Sequence, residues 1–180
     1  FAQVKAHEID VVADAIPVSG ADAAWARWIF AFLPKPKDAL KKLVDAVKPG
    51  GALVFHEYID YQTWKLAPPA PNFEKFVDEV SANWRGSGGE PDIARFLPAW
   101  LTEMGLKVES LKPYVDVVSK DDNVWRWPIG FFDIHIDRLL ELNRITPQMA
   151  KDMRDEFARV SLQPGTLMVT PLVLEIIARK

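Results

Sequence analysis

The chemically richest segment of this chain is the run from His56 to Tyr61, HEYIDY. An imidazole titrates near neutrality, so His56 is a candidate catalytic base for deprotonating a nucleophile. Glu57 is the second candidate catalytic residue, because its carboxylate could hold a substrate amine or act in place of His56. Tyr58 and Tyr61 are candidate substrate contacts. Two open alternatives remain: His56 packs under a loop, or the reaction needs only the alignment of two bound molecules and no base.

A strand–helix–strand pattern between residues 21 and 58 must position these side chains. Ala23 to Phe30 is an apolar run broken only by Arg27, which is typical of a strand buried on both faces. Asp38 is placed to cap an amphipathic helix, and Pro49-Gly50-Gly51 ends it. Ala52 to Phe55 forms the next strand. The pattern predicts a right-handed βαβ unit in a parallel sheet, whose ligands bind beyond the carboxyl ends of the strands.

The first of these strands ends in Ala26-Arg27-Trp28. An arginine inside an apolar run is costly unless it is paired. We therefore expect a carboxylate partner for Arg27, whether its role is structural or functional. Trp25 and Trp28 are expected to belong to the core.

The remaining patterns predict mixed α/β structure. Pro98 is expected to break a helix near Leu97, and Pro113 favours an edge position for its strand. Thr146 is placed to cap a helix that has Pro147 at its first position. The predicted strands are Val4–Val12, Leu106–Val118 and Thr166–Ala178, the last bent at Pro171. The predicted helices are Phe73–Trp84, Asp92–Met104, Trp125–Asn143 and Pro147–Val160.

Composition narrows the functional classes. The chain has 180 residues, 49% of them hydrophobic, which suffices for one α/β domain over residues 1–180. The net charge of −3 with no basic run argues against a nucleic-acid partner. No segment is apolar enough for a membrane span, and no signal peptide is visible. There is no cysteine, and His7, His56 and His135 lack metal-ligand spacing, so we expect no metal site and a cytoplasmic location.

Several stretches together resemble the later strands of class I S-adenosylmethionine-dependent methyltransferases. A strand with a Trp/Arg end is followed by a helix, a KPGG turn and a strand that ends in an acidic residue. The sequence of these stretches resembles that of one bacterial subfamily of methyltransferases acting on small molecules, and the resemblance spans nearly the whole chain. Its segments are DAAWARWIFAF, KPGGALVFHEYIDYQTWKLAP, FVDEVSANWRGSGGEPDIARFLP and TLMVTPLVLEIIA.

The resemblance implies a Rossmann-like sheet made of strands three to seven of a seven-stranded pattern, with helical insertions. The strand order of that pattern is 3-2-1-4-5-7-6, with the last strand antiparallel between the fifth and the sixth. It implies S-adenosylmethionine as cofactor and a small-molecule substrate. The insertions, about residues 70–90 and 120–163, are rich in aromatic residues and could form a lid to which Trp84 contributes a substrate contact. The alternative is that these aromatic residues only bury the insertions against the sheet. An acidic residue after the third strand would contact adenine; Asp10 matches best and Asp14 second, and the alternative is that such an Asp only caps a turn. The cofactor-binding candidates are Asp10, Val11, Ala26, Arg27 and Trp28.

None of the nine glycines forms the Gly-rich loop that follows the first strand of this family. The chain, which begins with Phe1, is therefore expected to be a truncated, C-terminal part of such an enzyme, with weak or absent cofactor binding. Without the first strand, the Ala23–Phe30 strand would be a bare apolar edge, so we expect either that the Val4–Val12 strand moves across to pair with it or, preferably, a homodimer. The alternative function is a non-catalytic α/β ligand-binding or dimerisation module. A hydrolase ranks last, because the chain has no GxSxG motif.

Overall fold

A computed structural model describes residues 3–180 as two β-sheets with five α-helices. The strands are β1 (Ala21–Arg27), β2 (Val47–Asp60), β3 (Lys65–Ala67), β4 (Lys107–Tyr114), β5 (Val117–Val118), β6 (Leu167–Val169) and β7 (Leu172–Arg179). The helices are α1 (Pro36–Ala46), α2 (Pro71–Gly86), α3 (Leu97–Glu103), α4 (Arg126–Glu141) and α5 (Pro147–Ser161). The larger sheet has the order β1-β2-β7-β4, and the smaller one β3-β6-β5.

The predicted βαβ unit is confirmed. β1 and β2 are parallel, and α1 connects them. The helix begins at Pro36, so Asp38 lies in its first turn and is not the cap that we expected. The turn that follows needs its glycines: Gly50 has φ +77°, and a Cβ on Gly51 would lie 2.9 Å from the carbonyl oxygen of Asp22.

The C-terminal half also follows the sequence. β7 is antiparallel to both neighbours and lies between β2 and β4, and β4, with Pro113, is a sheet edge. A new helix begins at Leu97, and Thr146 caps α5 by accepting a hydrogen bond from the amide of Met149 at 3.2 Å. The chain bends between β6 and β7, and the small sheet that β6 forms was not predicted.

The expected strand over Val4–Val12 is wrong. Residues 4–10 have no regular structure, and a turn begins at Val11. Asp10 closes this turn by accepting hydrogen bonds from the amides of Val12 at 2.7 Å and Ala13 at 3.0 Å. Alternating apolar residues form a strand only where a neighbouring strand takes up their backbone hydrogen bonds, and this segment pairs with none.

Helices α2, α4 and α5 pack on one another mainly through aromatic rings. Phe76 and Phe132 have ring centroids 4.7 Å apart, and Phe132 and Phe157 lie 4.8 Å apart. Trp64, the residue before β3, extends this cluster, with its ring centroid 5.1 Å from that of Phe73. Within residues 3–180 no helix is both long and apolar enough to cross a membrane. The cytoplasmic location stays a prediction.

β1 lies at the other edge of the larger sheet, and its outer side has no strand partner among the described residues. It is less buried than we expected: Ala23 is exposed, and Trp25 exposes 63% of its surface. The N-terminal segment does not pair with it, which removes one of the two arrangements expected for this edge. We propose the other, in which two copies of the chain pair along β1.

Replacing Ala23 with Lys should weaken this self-association, since a lysine on an edge strand opposes pairing with another strand. Sedimentation velocity of the wild-type chain and of Ala23→Lys measures the effect. Ala82→Lys is the matched control, because Ala82 is exposed on α2, away from the edge. A wild-type chain that stays monomeric at every concentration contradicts the dimer.

Candidate functional site

The candidate site lies where β1 ends beside His56 of β2. Arg27 is in register with His56 on the parallel neighbour, and His56 is in register with Glu175 on β7. Glu175 is in turn opposite Lys112 on β4. Residues in register across a sheet have their side chains on the same face, so Arg27, His56, Glu175 and Lys112 form a row of four ionisable side chains across one face. Alternate residues of a strand also share a face, so Tyr58 and Tyr114, two residues further along β2 and β4, lie on it beside this row.

Both ring nitrogens of His56 are engaged. The indole Nε1 of Trp25 lies 3.0 Å from Nδ1, and Oε2 of Glu175 lies 2.8 Å from Nε2. An indole N–H can only donate, so Nδ1 accepts and Nε2 carries the proton that it donates to Glu175. This network assigns the Nε2–H tautomer of the neutral ring. His56 has no free nitrogen with which to deprotonate a ligand unless Trp25 or Glu175 moves away.

Glu57 points to the opposite side of β2 and is fully buried. Its Oε1 accepts hydrogen bonds from the amides of Ile29 at 2.8 Å and Phe30 at 3.0 Å, which holds the exit of β1 against β2. Its Oε2 is buried without a partner among residues 3–180. Burial raises the pKa of Glu57, and the hydrogen bonds from the backbone amides oppose this only in part.

Trp28 occupies a strained position between the two strand ends. Its φ of +52° lies in the left-handed region, which costs on the order of 1–3 kcal/mol for a residue with a bulky side chain. Its amide donates to the carbonyl of His56 at 3.0 Å. Its ring stacks on Tyr58, with centroids 5.7 Å apart, and on Trp127 of α4 at 5.1 Å. Aromatic packing from two elements thus holds a conformation that the backbone alone disfavours.

Arg27 does not have the carboxylate partner that the sequence led us to expect. Its guanidinium carbon lies 4.0 Å from the ring centroid of Trp28, a cation–π contact. Across the described part of the chain it forms no ion pair within 4.0 Å. Its side chain is exposed, so water solvates the charge. The energetic cost of burying an unpaired arginine, which led us to expect a carboxylate partner, therefore does not arise.

Two cavities meet at these strand ends. The edge cavity, about 700 Å³, lies beside β1. The face cavity, about 400 Å³, lies over the open face of the sheet. Arg27, Trp28 and Trp127 line both and form the boundary between them. The edge cavity is further lined by Val11, Ile16, Trp25, Ala26, Ile29, Phe30, Leu33, Ala39 and Leu43, and the face cavity by His56, Tyr114, Asp116, Val124, Thr170, Pro171 and Val173.

The edge cavity brings together four of the five candidate cofactor residues: Val11, Ala26, Arg27 and Trp28. Asp10 lines neither this cavity nor the face cavity. Its carboxylate is used in the turn, where hydrogen bonds from the amides of Ala13 and Val12 lower its pKa. The amide of Asp10 in turn donates to Asp14 Oδ2 at 2.8 Å.

The three candidate substrate residues lie close together inside the protein. Tyr58, Tyr61 and Trp84 are each at most 9% exposed, and burial raises the pKa of both tyrosines. Tyr61 stands between the other two, with its ring centroid 5.0 Å from Tyr58 and 5.7 Å from Trp84. Trp84 lines a third cavity of about 210 Å³, and neither tyrosine lines this cavity, the edge cavity or the face cavity. This packing makes the trio a support beneath the strand ends.

Sequence reasoning missed Asp116 and Glu175 as site residues. Asp116 stands just after β4, and a polar residue at a strand end was the available signal. Glu175 gave no local signal, because only the antiparallel register of β7 places it beside His56. Among residues 3–180, no three His, Cys, Asp or Glu side chains are grouped as metal ligands.

The comparisons with known proteins bear on the fold. No family model matches this chain, and no curated protein does. A solved structure from Bacillus halodurans, provisionally described as a methyltransferase, has a TM-score of 0.55 at 12% identity, over 99% of this chain and 78% of that one. The YcgJ protein of Bacillus subtilis has a TM-score of 0.50 at 12% identity, over 94% and 68%. Across all the similar solved chains reported, this chain spans 54% to 78% of their lengths.

The fold is therefore the Rossmann-like α/β fold found in class I methyltransferases, as the resemblance implied. The order β1-β2-β7-β4 is the order 4-5-7-6 expected for the later strands of that sheet. At 12% sequence identity, this similarity supports a shared fold and gives no information on the reaction.

Replacing Glu57 with Gln should flatten the pH dependence of stability. The pKa of Glu57 is raised in the folded state, so the folded protein holds this proton more tightly than the unfolded chain does. The stability therefore falls as the pH rises from the ordinary glutamate range through the pKa of Glu57. Urea unfolding of the wild type and of Glu57→Gln across that range measures the change in slope.

Glu8→Gln is the control, since Glu8 is exposed in the irregular N-terminal segment. Glu57→Ala should lower the free energy of unfolding by about 1–3 kcal/mol at the acidic end of that range and by less at higher pH, because it leaves two amides without their acceptor but also removes the buried carboxyl. If Glu57→Gln shows the wild-type slope, Glu57 does not titrate as a buried carboxyl.

Proposed function

We propose that this chain takes part in S-adenosylmethionine-dependent methyl transfer to a small molecule. The observation that carries the proposal is the pair of cavities meeting at Arg27, Trp28 and Trp127, at the carboxyl end of β1 beside His56 of β2. Ligands of Rossmann-like sheets bind at such ends. Direct transfer of a group between two molecules needs adjoining sites, and adjoining sites gain rate through proximity and alignment.

The edge cavity is the proposed place of the cofactor. Its apolar lining suits an adenine ring and methylene groups, and its volume lies within the usual range of small-molecule sites, about 300–1,000 Å³. The rings of Trp25 and Trp127, which line this cavity, can attract a sulfonium cation. No carboxylate lines this cavity among the described residues, so ribose hydroxyls would find no acidic acceptor there. This fit is partial, which supports the expected weak binding.

The chain's own contribution is positioning. Glu57 holds the exit of β1, and Trp28 and Trp127 form the boundary at which the two ligands would meet. His56 donates its Nε2–H to Glu175, and this hydrogen bond fixes the orientation of both side chains on the open face of the sheet. The cofactor supplies an activated methyl group when bound. Alignment alone suffices for such a transfer, and we assign no base.

The second candidate function is a non-catalytic ligand-binding module. It is favoured by two observations: both nitrogens of His56 are occupied, and the edge cavity lacks a carboxylate. Such a module would use the same cavities for binding without turnover. The two functions differ in whether a cofactor binds beside the other ligand.

Calorimetric titration with S-adenosylmethionine and S-adenosylhomocysteine tests the proposal. We expect weak, saturable binding of both. Val11→Trp fills the edge cavity from an irregular segment and should reduce the affinity at least about tenfold, a loss of about 1.4 kcal/mol. Val124→Trp is the matched control, because Val124 lines only the face cavity and should leave the affinity nearly unchanged.

Two outcomes decide against cofactor binding in the edge cavity. One is the absence of any binding heat with either compound. The other is an equal loss of affinity in Val11→Trp and Val124→Trp. A loss in Val124→Trp alone would move the cofactor to the face cavity.

A further inference from the structure

The face cavity presents two opposite charges that have no partner. Arg27 and Asp116 both line it, and neither forms an ion pair with any residue of the described chain. The other ionisable lining groups are already engaged: His56 is held by Trp25 and Glu175, and the hydroxyl of Tyr114 lies 3.5 Å from Glu175 Oε2. One cation and one anion are therefore left to face the cavity.

The fold keeps these two charges apart. Arg27 ends β1 and Asp116 follows β4, at opposite edges of the four-stranded sheet. Three spacings of about 4.8 Å put those strands roughly 14 Å apart. Both residues line the face cavity and no ion pair within 4.0 Å joins them, so the cavity between them has room for a small molecule.

The backbone of Asp116 and the guanidinium of Arg27 are both held in place by neighbouring residues. The amide of Asp116 donates to Thr170 Oγ1 at 3.0 Å, and the amide of Thr170 donates to the carbonyl of Asp116 at 3.0 Å. The guanidinium of Arg27 lies against Trp28, whose ring is fixed by Tyr58 and Trp127. A preorganised charge loses less freedom on binding a ligand, so it contributes more to affinity.

We propose that the face cavity binds a zwitterionic small molecule of the amino-acid class. Its carboxylate pairs with the planar guanidinium of Arg27, and its ammonium pairs with Asp116. Its apolar body lies against Trp28, Trp127 and Val124. Under the proposed function this molecule is the methyl acceptor: its ammonium would first release a proton to solvent, its nitrogen lone pair would form the new bond to the methyl carbon, and S-adenosylhomocysteine would leave with the electron pair of the broken S–C bond. That part of the inference rests on the proposed function, whereas the binding itself does not.

Three probes that share a phenyl group separate the two charges. L-Phenylalanine carries both, 3-phenylpropanoate only the carboxylate and 2-phenylethylamine only the ammonium. Calorimetric titration of the full chain without cofactor should find L-phenylalanine bound at least about tenfold more tightly than either single-charge probe, since each charge-assisted hydrogen bond contributes about that factor or more.

Two variants test the assignment of each charge. Arg27→Gln should reduce the affinity for L-phenylalanine at least about tenfold and leave that for 2-phenylethylamine nearly unchanged. Asp116→Asn should show the converse, with 3-phenylpropanoate unaffected. Arg27→Lys keeps the charge without the planar fork and should give an intermediate affinity.

Lys120→Gln and Asp121→Asn are the charge-matched controls. Both residues are exposed, and neither lines either cavity. They should leave all three affinities unchanged. Val124→Trp, which fills the face cavity, should abolish the binding of L-phenylalanine.

The proposal is overturned if L-phenylalanine shows no saturable binding, if the three probes bind equally, or if Arg27→Gln weakens all three alike. Circular dichroism of each variant identifies any that fails to fold, and Arg27→Lys then carries the test. Binding of L-phenylalanine without any binding of S-adenosylmethionine would support this site and reject the proposed function.

Discussion

The geometry of the strand ends depends on one buried carboxylate. Glu57 reaches from β2 to the exit of β1 and accepts hydrogen bonds from the amides of Ile29 and Phe30. Burial works against its charge and the amides favour it, so the group is held at some energetic cost. Successive side chains of a strand point to opposite faces. The inward position of Glu57 therefore directs His56 to the open face of the sheet, where the ligands are proposed to bind.

Aromatic stacking links the end of β1 to the helices. Trp28 follows β1 with a backbone conformation that costs energy, and its ring is stacked by Tyr58 from β2 and Trp127 from α4. The position of α4 is thus linked to the strand ends. The phenylalanines of α2, α4 and α5 hold α4 in place by packing on one another. The boundary between the two cavities is consequently rigid on both sides, as an alignment mechanism requires.

The charges on the open face fall into two groups. His56 and Glu175 satisfy each other, and their contact is structural in this arrangement. Arg27 rests on Trp28 and the backbone of Asp116 is anchored by Thr170, and neither side chain has an ionic partner among residues 3–180. Both line the face cavity, where the proposed ligand would pair with them.

Local signals in the sequence determined the βαβ unit, the break at Pro98, the cap at Thr146 and the edge position of β4. Each of these rests on contacts between residues near one another in the chain, or on what a proline forbids. Tertiary structure decided the rest. The apolar alternation of Val4 to Val12 gave no strand because no neighbour pairs with it. Asp10 was used in a turn, and the pairing of His56 with Glu175 arose only from the register of β7. The candidate site joins residues from the first and last strands, and a linear pattern carries no information on such distances.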